Sequence, residues 1–270
     1  MASGVSEAQP WDTLPLPEVP KGKPTEKQVA EYLDAYLKPL VEADAFSGSV
    51  LVAKDGKVVY RKAFGLASRA WNAKNQPDTK FNLGSMNKML TSVAIAQLME
   101  QGKLNWDDNL GKFLPDWPNK DAQQKVKLSH LLTHTSGMGD YFNDDFAKAS
   151  RDRFRAVADY IPLYADKPLA FEPGSRFSYS NGGFMTLGAV LEKVSGKDYF
   201  TYIRENIYKP AGMKNSDSYD LDEDTPNLAT GYSYMRSLEG PKTRPQKALQ
   251  QYLPARDQGR PCRWRVFHRG

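Results

Sequence analysis

Residues 81–104 read FNLGSMNKMLTSVAIAQLMEQGKL, which sets a serine and a lysine three positions apart at the start of an apolar segment. From Ser85 onward the apolar residues recur with helical spacing, and Gly102 ends the pattern as a helix stop. Side chains three positions apart share one face of a helix, so the amine of Lys88 can reach the hydroxyl of Ser85. A serine becomes a nucleophile when an adjacent base takes its proton. The segment therefore predicts a helix that carries an activated serine.

The residues around this S-x-x-K pair favour a catalytic role. The pair alone occurs by chance roughly once in every few hundred residues, so it needs support from its surroundings. Gly84 allows another backbone to approach the serine closely, and a helix start offers N–H groups and a positive dipole where negative charge would develop. The segment 92–99 is apolar enough to bury the helix. We therefore expect Ser85 and Lys88 to be fixed on a rigid element.

Proton transfer needs a further hydroxyl, and two Y-x-N tripeptides could supply it. The first, Tyr141 to Asn143, lies in the acidic loop GDYFNDDF and has the composition of a solvated turn. The second, Tyr179 to Asn181, lies between the Pro-Gly turn of FEPG and a Gly-Gly helix start, where side chains can crowd a substrate. We favour Tyr179 as the catalytic tyrosine.

The segments GSMNK, LLTHTSGMGDYF and EPGSRFSYSNGG follow one another in a recognisable order and spacing. They resemble the serine β-lactamase and D-Ala-D-Ala peptidase superfamily, and within it the branch of class C β-lactamases and family VIII carboxylesterases. The resemblance runs from about residue 28 to about residue 235. It implies a β-lactamase/transpeptidase-like α+β fold, in which an antiparallel sheet is flanked by helices and an inserted helical region.

The resemblance also implies a role for each matching side chain. Ser85 would be the acylated nucleophile, Lys88 and Tyr179 the general base and acid, and Asn181 a hydrogen-bonding group for the substrate or for Lys88. Because lysine and tyrosine both have ordinary pKa values of about 10, the two would titrate as a coupled pair. The substrate would be a small-molecule ester, a β-lactam or a D-Ala peptide, and neither a cofactor nor a metal is implied.

The superfamily carries a third motif, K-T-G or H-x-G on a strand that lines the site, and this sequence ends before the resemblance would place such a strand. His268 begins an H-x-G at the end of the chain, 89 residues after Tyr179, and a match this short arises easily by chance. We do not count it as catalytic. We therefore expect an incomplete sheet and slow or absent turnover, since losing one oxyanion donor costs about 10²- to 10³-fold in rate. The alternative is a catalytically dead or merely acyl-accepting truncated fragment.

Local patterns support the same fold class and divide the chain. Thr25 can cap a helix over residues 26–43, and Asp55-Gly56 joins two β-rich runs as a hairpin, since both residues tolerate positive φ. We predict three regions: an extended N-terminal arm over residues 1–25, the incomplete hydrolase domain over residues 26–240, and a basic, aberrant tail over residues 241–270.

The basic charge of the protein belongs to this tail. The chain has 270 residues and a net charge of +5, yet residues 241–270 hold eight Lys or Arg against one acidic residue. The remainder carries 29 basic and 31 acidic residues, so a nucleic-acid partner is not expected. We interpret the sequence after LPAR, residues 253–256, as the product of a shifted reading frame. Its end, RPCRWRVFHRG, combines arginine, tryptophan and the lone cysteine as out-of-frame reading of a GC-rich gene tends to do.

Other sites and locations are less favoured. No apolar run approaches the ~20 residues of a membrane-spanning helix. His130 and His134 in HLLTH have the i, i+4 spacing of a zinc pair. No third ligand has credible spacing and the glutamate of H-E-x-x-H is missing, so we expect no metal site. The N-terminus lacks a basic and apolar leader, which leaves the compartment open: periplasmic or secreted if a leader was removed, otherwise cytoplasmic.

Overall fold

The computed structural model describes the backbone and side chains of residues 14–150, 153–220 and 224–232, and the backbone of residues 267–269. Within these residues the chain folds as two compact units. The first comprises residues 14–81, 225–232 and 268–269, and the second comprises residues 82–150, 153–220, 224 and 267. The S-x-x-K pair and both Y-x-N tripeptides therefore lie in the second unit.

The chain up to residue 82 forms a helix, a hairpin and short strands. These elements are α1 (Glu26–Glu42), β1 (Gly48–Lys54), β2 (Lys57–Phe64), β3 (Leu66–Ser68), β4 (Ala73–Lys74) and β5 (Lys80–Asn82). Thr25 caps α1 in a capping box with Gln28, and the turn between β1 and β2 holds Asp55 and Gly56 at φ of 50° and 74°. The predicted cap and the predicted hairpin are both confirmed.

The strands pair two by two. β1 and β2 are antiparallel, as are β3 and β4, and β5 lies beside β6 (Phe267–Arg269), the strand that contains His268. Among the described residues no larger sheet forms from them. The predicted α+β class with a mostly antiparallel, incomplete sheet is confirmed.

The second unit is helical. Its α-helices are α2 (Asn87–Glu100), α3 (Lys120–Lys125), α4 (Leu128–Leu132), α5 (Asp144–Lys148), α6 (Val157–Tyr160), α7 (Asn181–Ser195) and α8 (Tyr199–Ile203). Single turns of 3₁₀ helix cover Gly84–Met86, Leu110–Lys112 and Ile161–Leu163, and a π-helical turn covers Arg204–Tyr208. The long helices α2 and α7 pack against each other in the hydrophobic core, which fixes their N-terminal ends as neighbours.

Helix α2 matches its sequence pattern with two differences. Gly102 has φ of 70° just past the end of the helix, as expected for a glycine stop. The helix begins at Asn87, because Gly84–Met86 form a 3₁₀ turn ahead of it. The expectation that 92–99 is buried holds for one face only, since Val93 is 41% exposed while Ile95 is fully buried.

Some predictions concern residues at the ends of the chain. Residues 14–24 contain neither helix nor strand ahead of the Thr25 cap. Residues 1–13 and the predicted tail, apart from the backbone of 267–269, lie outside the described residues, so the domain boundaries and the shifted reading frame stay predictions. In the described part of the chain, no helix is both long and apolar enough to cross a bilayer.

Candidate active site

The serine lies in the 3₁₀ turn that leads into α2. Ser85 is exposed in the middle of this turn, and Lys88 is the second residue of α2 and half-buried. Gly84 has φ of 53°, and its N–H donates to Oδ1 of Asn82 at 2.8 Å. A Cβ on Gly84 would meet no atom of the described residues within 4 Å. The expected close backbone approach is therefore wrong, and it is the positive φ that favours glycine at this position.

Two polar groups converge on the serine hydroxyl. Nζ of Lys88 donates to Oγ of Ser85 at 3.2 Å, and the hydroxyl of Tyr179 donates to the same oxygen at 2.7 Å. Nζ of Lys88 also lies 4.9 Å from the centre of the Tyr179 ring. The structure thus brings together a serine hydroxyl and two groups that can exchange a proton with it, both within hydrogen-bond distance of its oxygen.

The segment that carries Tyr179 is tied to the HTSG turn by hydrogen bonds. The N–H of Ser178 donates to the carbonyl of His134 at 2.8 Å, and the N–H of Ser180 donates to Nδ1 of the same histidine at 3.1 Å. The imidazole ring of His134 stacks 4.4 Å from the Tyr179 ring. Ser180 then caps α7, accepting from the N–H of Gly183 at 2.9 Å. Hydrogen bonds of Ser178 and Ser180 therefore fix the backbone on both sides of Tyr179.

Asn181 links the lysine to a residue that sequence reasoning missed. Its Oδ1 accepts from Nζ of Lys88 at 2.8 Å, and its Nδ2 donates to Oδ2 of Asp140 at 3.0 Å. The same Oδ2 accepts from the backbone N–H of Asn181 at 2.8 Å. Nothing in the loop GDYFNDDF distinguishes Asp140 from Asp144 and Asp145, so no sequence signal could have identified it.

The electrostatic environment favours ionisation of Tyr179. Burial opposes ionisation of the phenol, but the neighbouring, positively charged Lys88 and the hydrogen bond with Ser85 outweigh it. The pKa of Tyr179 is therefore lowered from its ordinary value of 10.0. The negative charge of Asp140 acts in the opposite direction. A tyrosine with a lowered pKa is better suited to accept a proton from the serine near neutral pH.

The other Y-x-N tripeptide has structural contacts. The ring of Tyr141 packs 4.5 Å from Phe142 and 5.4 Å from Phe146 at the edge of the hydrophobic core. Asn143 caps α5 by accepting from the N–H of Phe146 at 3.0 Å, and its Nδ2 donates to the carbonyl of Leu163 at 2.8 Å. Its interpretation as a solvated turn was wrong, since both ends of the tripeptide stabilise the fold.

Both histidines of HLLTH have backbone partners. Nδ1 of His130 accepts from the N–H of Lys127 at 3.2 Å, as Nδ1 of His134 does from Ser180. Burial lowers the pKa of both imidazoles, and nearby lysine charge adds to the effect. Among the residues that the structure describes, no three His, Cys, Asp or Glu side chains are grouped as metal ligands would be.

Comparisons with known proteins match this arrangement to one family. The Beta-lactamase family model matches residues 33–259. Penicillin-binding protein 4* of Bacillus subtilis (strain 168) is 32% identical over 209 residues, which are 76% of this chain and 46% of that protein. Esterase EstB of Burkholderia gladioli is 32% identical over 202 residues, covering 69% of this chain and 51% of the esterase. The crystal structure of a penicillin-binding protein from Bacillus halodurans has a TM-score of 0.69 at 32% identity, covering 87% of this chain and 69% of that one.

These matches have two consequences. The chain spans about half the length of the curated relatives described here. The family model nevertheless covers most of the chain, including the serine, the lysine and the tyrosine, and the structural match covers 87% of it. The resemblance stated from the motifs is confirmed: the chain belongs to the β-lactamase family, whose members similar to it include penicillin-binding proteins and an esterase.

Proposed function

We propose that this protein is a serine hydrolase that forms an acyl-enzyme at Ser85 with an ester, a β-lactam or a D-Ala peptide. One observation carries the proposal: Oγ of Ser85 lies 3.2 Å from Nζ of Lys88 and 2.7 Å from the hydroxyl of Tyr179. Both Ser85 and Tyr179 are exposed, so a substrate carbonyl can approach the hydroxyl. Ser85 also lies at the N-terminal end of the helical segment 84–100, where N–H groups favour a developing oxyanion.

The proton of Ser85 leaves through the lysine and tyrosine pair. Oγ accepts hydrogen bonds from both groups, so one of them must become an acceptor before the serine can be deprotonated. Either a neutral Lys88 or an ionised Tyr179 fulfils this condition, and the lowered pKa of Tyr179 supports the second. Both groups contact Oγ of Ser85, so the pair as a whole acts as base in acylation and as acid toward the leaving group.

Asn181 has a supporting role in this scheme. Its Oδ1 accepts from Nζ of Lys88 at 2.8 Å, which keeps the amine within reach of Ser85. The names of the relatives, a penicillin-binding protein and an esterase, support a lactam or an ester as the acyl donor. All three candidate substrates present a carbonyl bonded to an oxygen or nitrogen leaving group, which is the chemistry that an activated serine attacks.

Covalent labelling tests the proposal directly. The purified chain and its Ser85→Ala variant would be incubated with a fluorophosphonate and, separately, with a fluorescent penicillin. Intact-mass analysis should show one adduct on the parent and none on the variant, and peptide mapping should place it on Ser85. An adduct of equal yield on the alanine variant would exclude Ser85 as the nucleophile.

Turnover distinguishes the hydrolase from the acyl-accepting fragment. A p-nitrophenyl ester and nitrocefin would be followed for release of chromophore at substrate excess. Continued release beyond one equivalent per chain supports a hydrolase, and its preference between the two substrates names the acyl donor. Release that stops at one equivalent would identify an acyl-accepting chain in place of a turning-over enzyme.

A further inference from the structure

Asp140 lies outside both the S-x-x-K and the Y-x-N elements. We propose that Asp140 is a positioning residue for acylation: it fixes the side-chain amide of Asn181 so that the amide oxygen holds Lys88 beside Ser85. The inference deepens the proposed function and rests on it. Asp140 hydrogen-bonds to Asn181, and Asn181 in turn hydrogen-bonds to Lys88, so Asp140 acts on the lysine through Asn181.

Three hydrogen-bond donors converge on the two oxygens of the Asp140 carboxylate. Oδ2 accepts from the backbone N–H of Asn181 at 2.8 Å and from its Nδ2 at 3.0 Å, and Oδ1 accepts from the N–H of Phe142 at 3.0 Å. An ionised carboxylate can accept on both oxygens, whereas an asparagine at this position would turn an N–H₂ group toward one of the donors. The site is therefore built for a carboxylate, and asparagine would serve it only in part.

The direction of the Asn181 amide follows from these contacts. An asparagine side chain has an acceptor end and a donor end that exchange places when the amide rotates by 180°. With Asp140 accepting from Nδ2, Oδ1 faces Nζ of Lys88 at 2.8 Å. The reversed amide would direct N–H groups at the lysine, which also carries donors. Asp140 thus excludes the orientation that would push the amine away from Ser85.

The backbone places Asp140 at the start of α7 by close packing. The carbonyl oxygen of Gly139 lies where a Cβ on Gly182 would have to be, so only glycine fits at residue 182. Oγ of Ser180 donates to the same carbonyl at 3.3 Å. The carboxylate therefore lies against the N-terminus of a 15-residue helix, where a negative charge is favourable.

The charge of Asp140 also reaches the proton-transfer pair. The charged or titratable groups that act on Tyr179 are Lys88 of α2, which lowers its pKa, and Asp140 of the loop before α5, which raises it. The imidazole of His134 faces the tyrosine ring, and its own pKa is lowered by burial and by Lys88. Removing the Asp140 charge should therefore lower the pKa of Tyr179 further, whichever protonation state is the active one.

The kinetic test compares three variants with the parent: Asp140→Ala, Asp140→Asn and Asp144→Asn. Asp144 is an exposed carboxylate at the first position of α5, four residues after Asp140, so its asparagine variant is a charge-matched control. Inactivation by a fluorophosphonate gives a maximal rate and an apparent affinity. We expect Asp140→Ala to lower the maximal rate by about 10- to 100-fold, the range for a misplaced reacting group, with little change in affinity.

The asparagine variants sharpen this comparison. Asp140→Asn should lose less of the rate than the alanine variant, because one side-chain oxygen can still accept from Asn181. Its pH profile should shift to lower pH in the range governed by Tyr179, while Asp144→Asn should match the parent in rate and profile. Thermal unfolding of each variant shows whether it is folded. If Asp140→Ala does not fold, a parent-like rate and an unshifted profile in Asp140→Asn overturn the proposal.

A readout that does not need activity separates this proposal from the proposed function. NMR spectra with ¹⁵N-labelled asparagine resolve the Nδ2 group of Asn181, assigned by its loss in Asn181→Asp. In the parent its protons should be hydrogen-bonded and slow to exchange, and in Asp140→Ala they should resemble free amides. If the parent acquires no label, the acyl-enzyme proposal is contradicted, and the NMR spectra still decide the role of Asp140. Unchanged Asn181 amide signals in a folded Asp140→Ala variant would overturn the role of Asp140 in either case.

Discussion

The substitution Tyr179→Phe removes one hydroxyl and leaves the aromatic ring in place. The ring contacts of Tyr179 are the His134 imidazole at 4.4 Å and Nζ of Lys88 at 4.9 Å, and phenylalanine can keep both. The lost atom donates to Ser85 at 2.7 Å from a side chain that is 48% exposed. Because no buried group loses its partner, the free energy of unfolding should change by no more than about 0.5 kcal/mol.

The size of the rate loss separates two roles for the hydroxyl. A hydrogen bond that only orients Ser85 contributes about 0.5–1.5 kcal/mol, which corresponds to a loss of no more than about 13-fold in acylation rate. A general acid or base contributes about 10²- to 10⁴-fold, or about 2.7–5.4 kcal/mol of barrier. We expect the larger loss, because Tyr179 has a lowered pKa and contacts the nucleophile.

The assay is the rate of Ser85 labelling by a fluorophosphonate between pH 6 and pH 10. Tyr141→Phe is the matched control, since it removes the hydroxyl of the other Y-x-N tyrosine, and it should label at the parent's rate. The change in labelling rate that accompanies ionisation of Tyr179 should be absent from the pH profile of Tyr179→Phe. A loss below about tenfold would reduce Tyr179 to an orienting role. A slow Tyr141→Phe beside a parent-like Tyr179→Phe would show that the first tripeptide is the catalytic one.

Further predictions concern the nucleophile, the lysine, the packing at α7 and the pH. Ser85→Ala should abolish labelling with no change in thermal unfolding, because the hydroxyl is exposed. Lys88→Ala should lose acylation in the same labelling assay, and its circular dichroism spectrum should match that of the folded parent. Gly182→Ala should destabilise the protein by about 1–3 kcal/mol in urea unfolding, since its Cβ would overlap the Gly139 carbonyl; parent-like stability would contradict that packing. The pKa of His134 is lowered from 6.5 by burial and by Lys88, so its contribution to stability is present above pH 6.5 and declines as the pH falls through the lowered value. The free energy of unfolding in urea should therefore differ less between pH 5 and pH 7.5 for His134→Asn than for the parent. Asparagine is chosen because it tolerates the φ of 57° at this position.

Features set by neighbouring residues could be predicted from the sequence. The hairpin turn at Asp55-Gly56, the Thr25 cap and the Gly102 stop each depend on the backbone preferences of a few adjacent residues. The reach of Lys88 to Ser85 likewise follows from helical geometry over three positions. These interactions are local, so the residue types and their spacing are sufficient to state them.

Features set by distant residues could not be predicted in the same way. The hydrogen bonds of Asp140 to Asn181 join positions 41 apart, and the bond from Ser180 to His134 joins positions 46 apart. Their geometry depends on how two loops pack, for which a single sequence carries no signal. The role assigned to Gly84 failed for a related reason: a glycine pattern does not distinguish a positive φ from a close contact, and only the φ of 53° decides between them.

The distances at the candidate site depend on the packing of the core behind it. Ser85 and Lys88 belong to the start of α2, and Asn181 begins α7, so the two helices must approach in one fixed way to bring Nζ of Lys88 within 2.8 Å of the amide oxygen. Helix α7 can do so because it presents glycines to its neighbours: Gly182 faces the Gly139 carbonyl and Gly188 lies against Val157. A larger residue at Gly182 would overlap the Gly139 carbonyl and displace the start of α7, and a shift of about 1 Å at reacting groups can cost about 10²-fold in rate. Acylation at Ser85 should therefore respond to a substitution of the buried Gly182 as strongly as to one of Asp140, although glycine has no polar side chain.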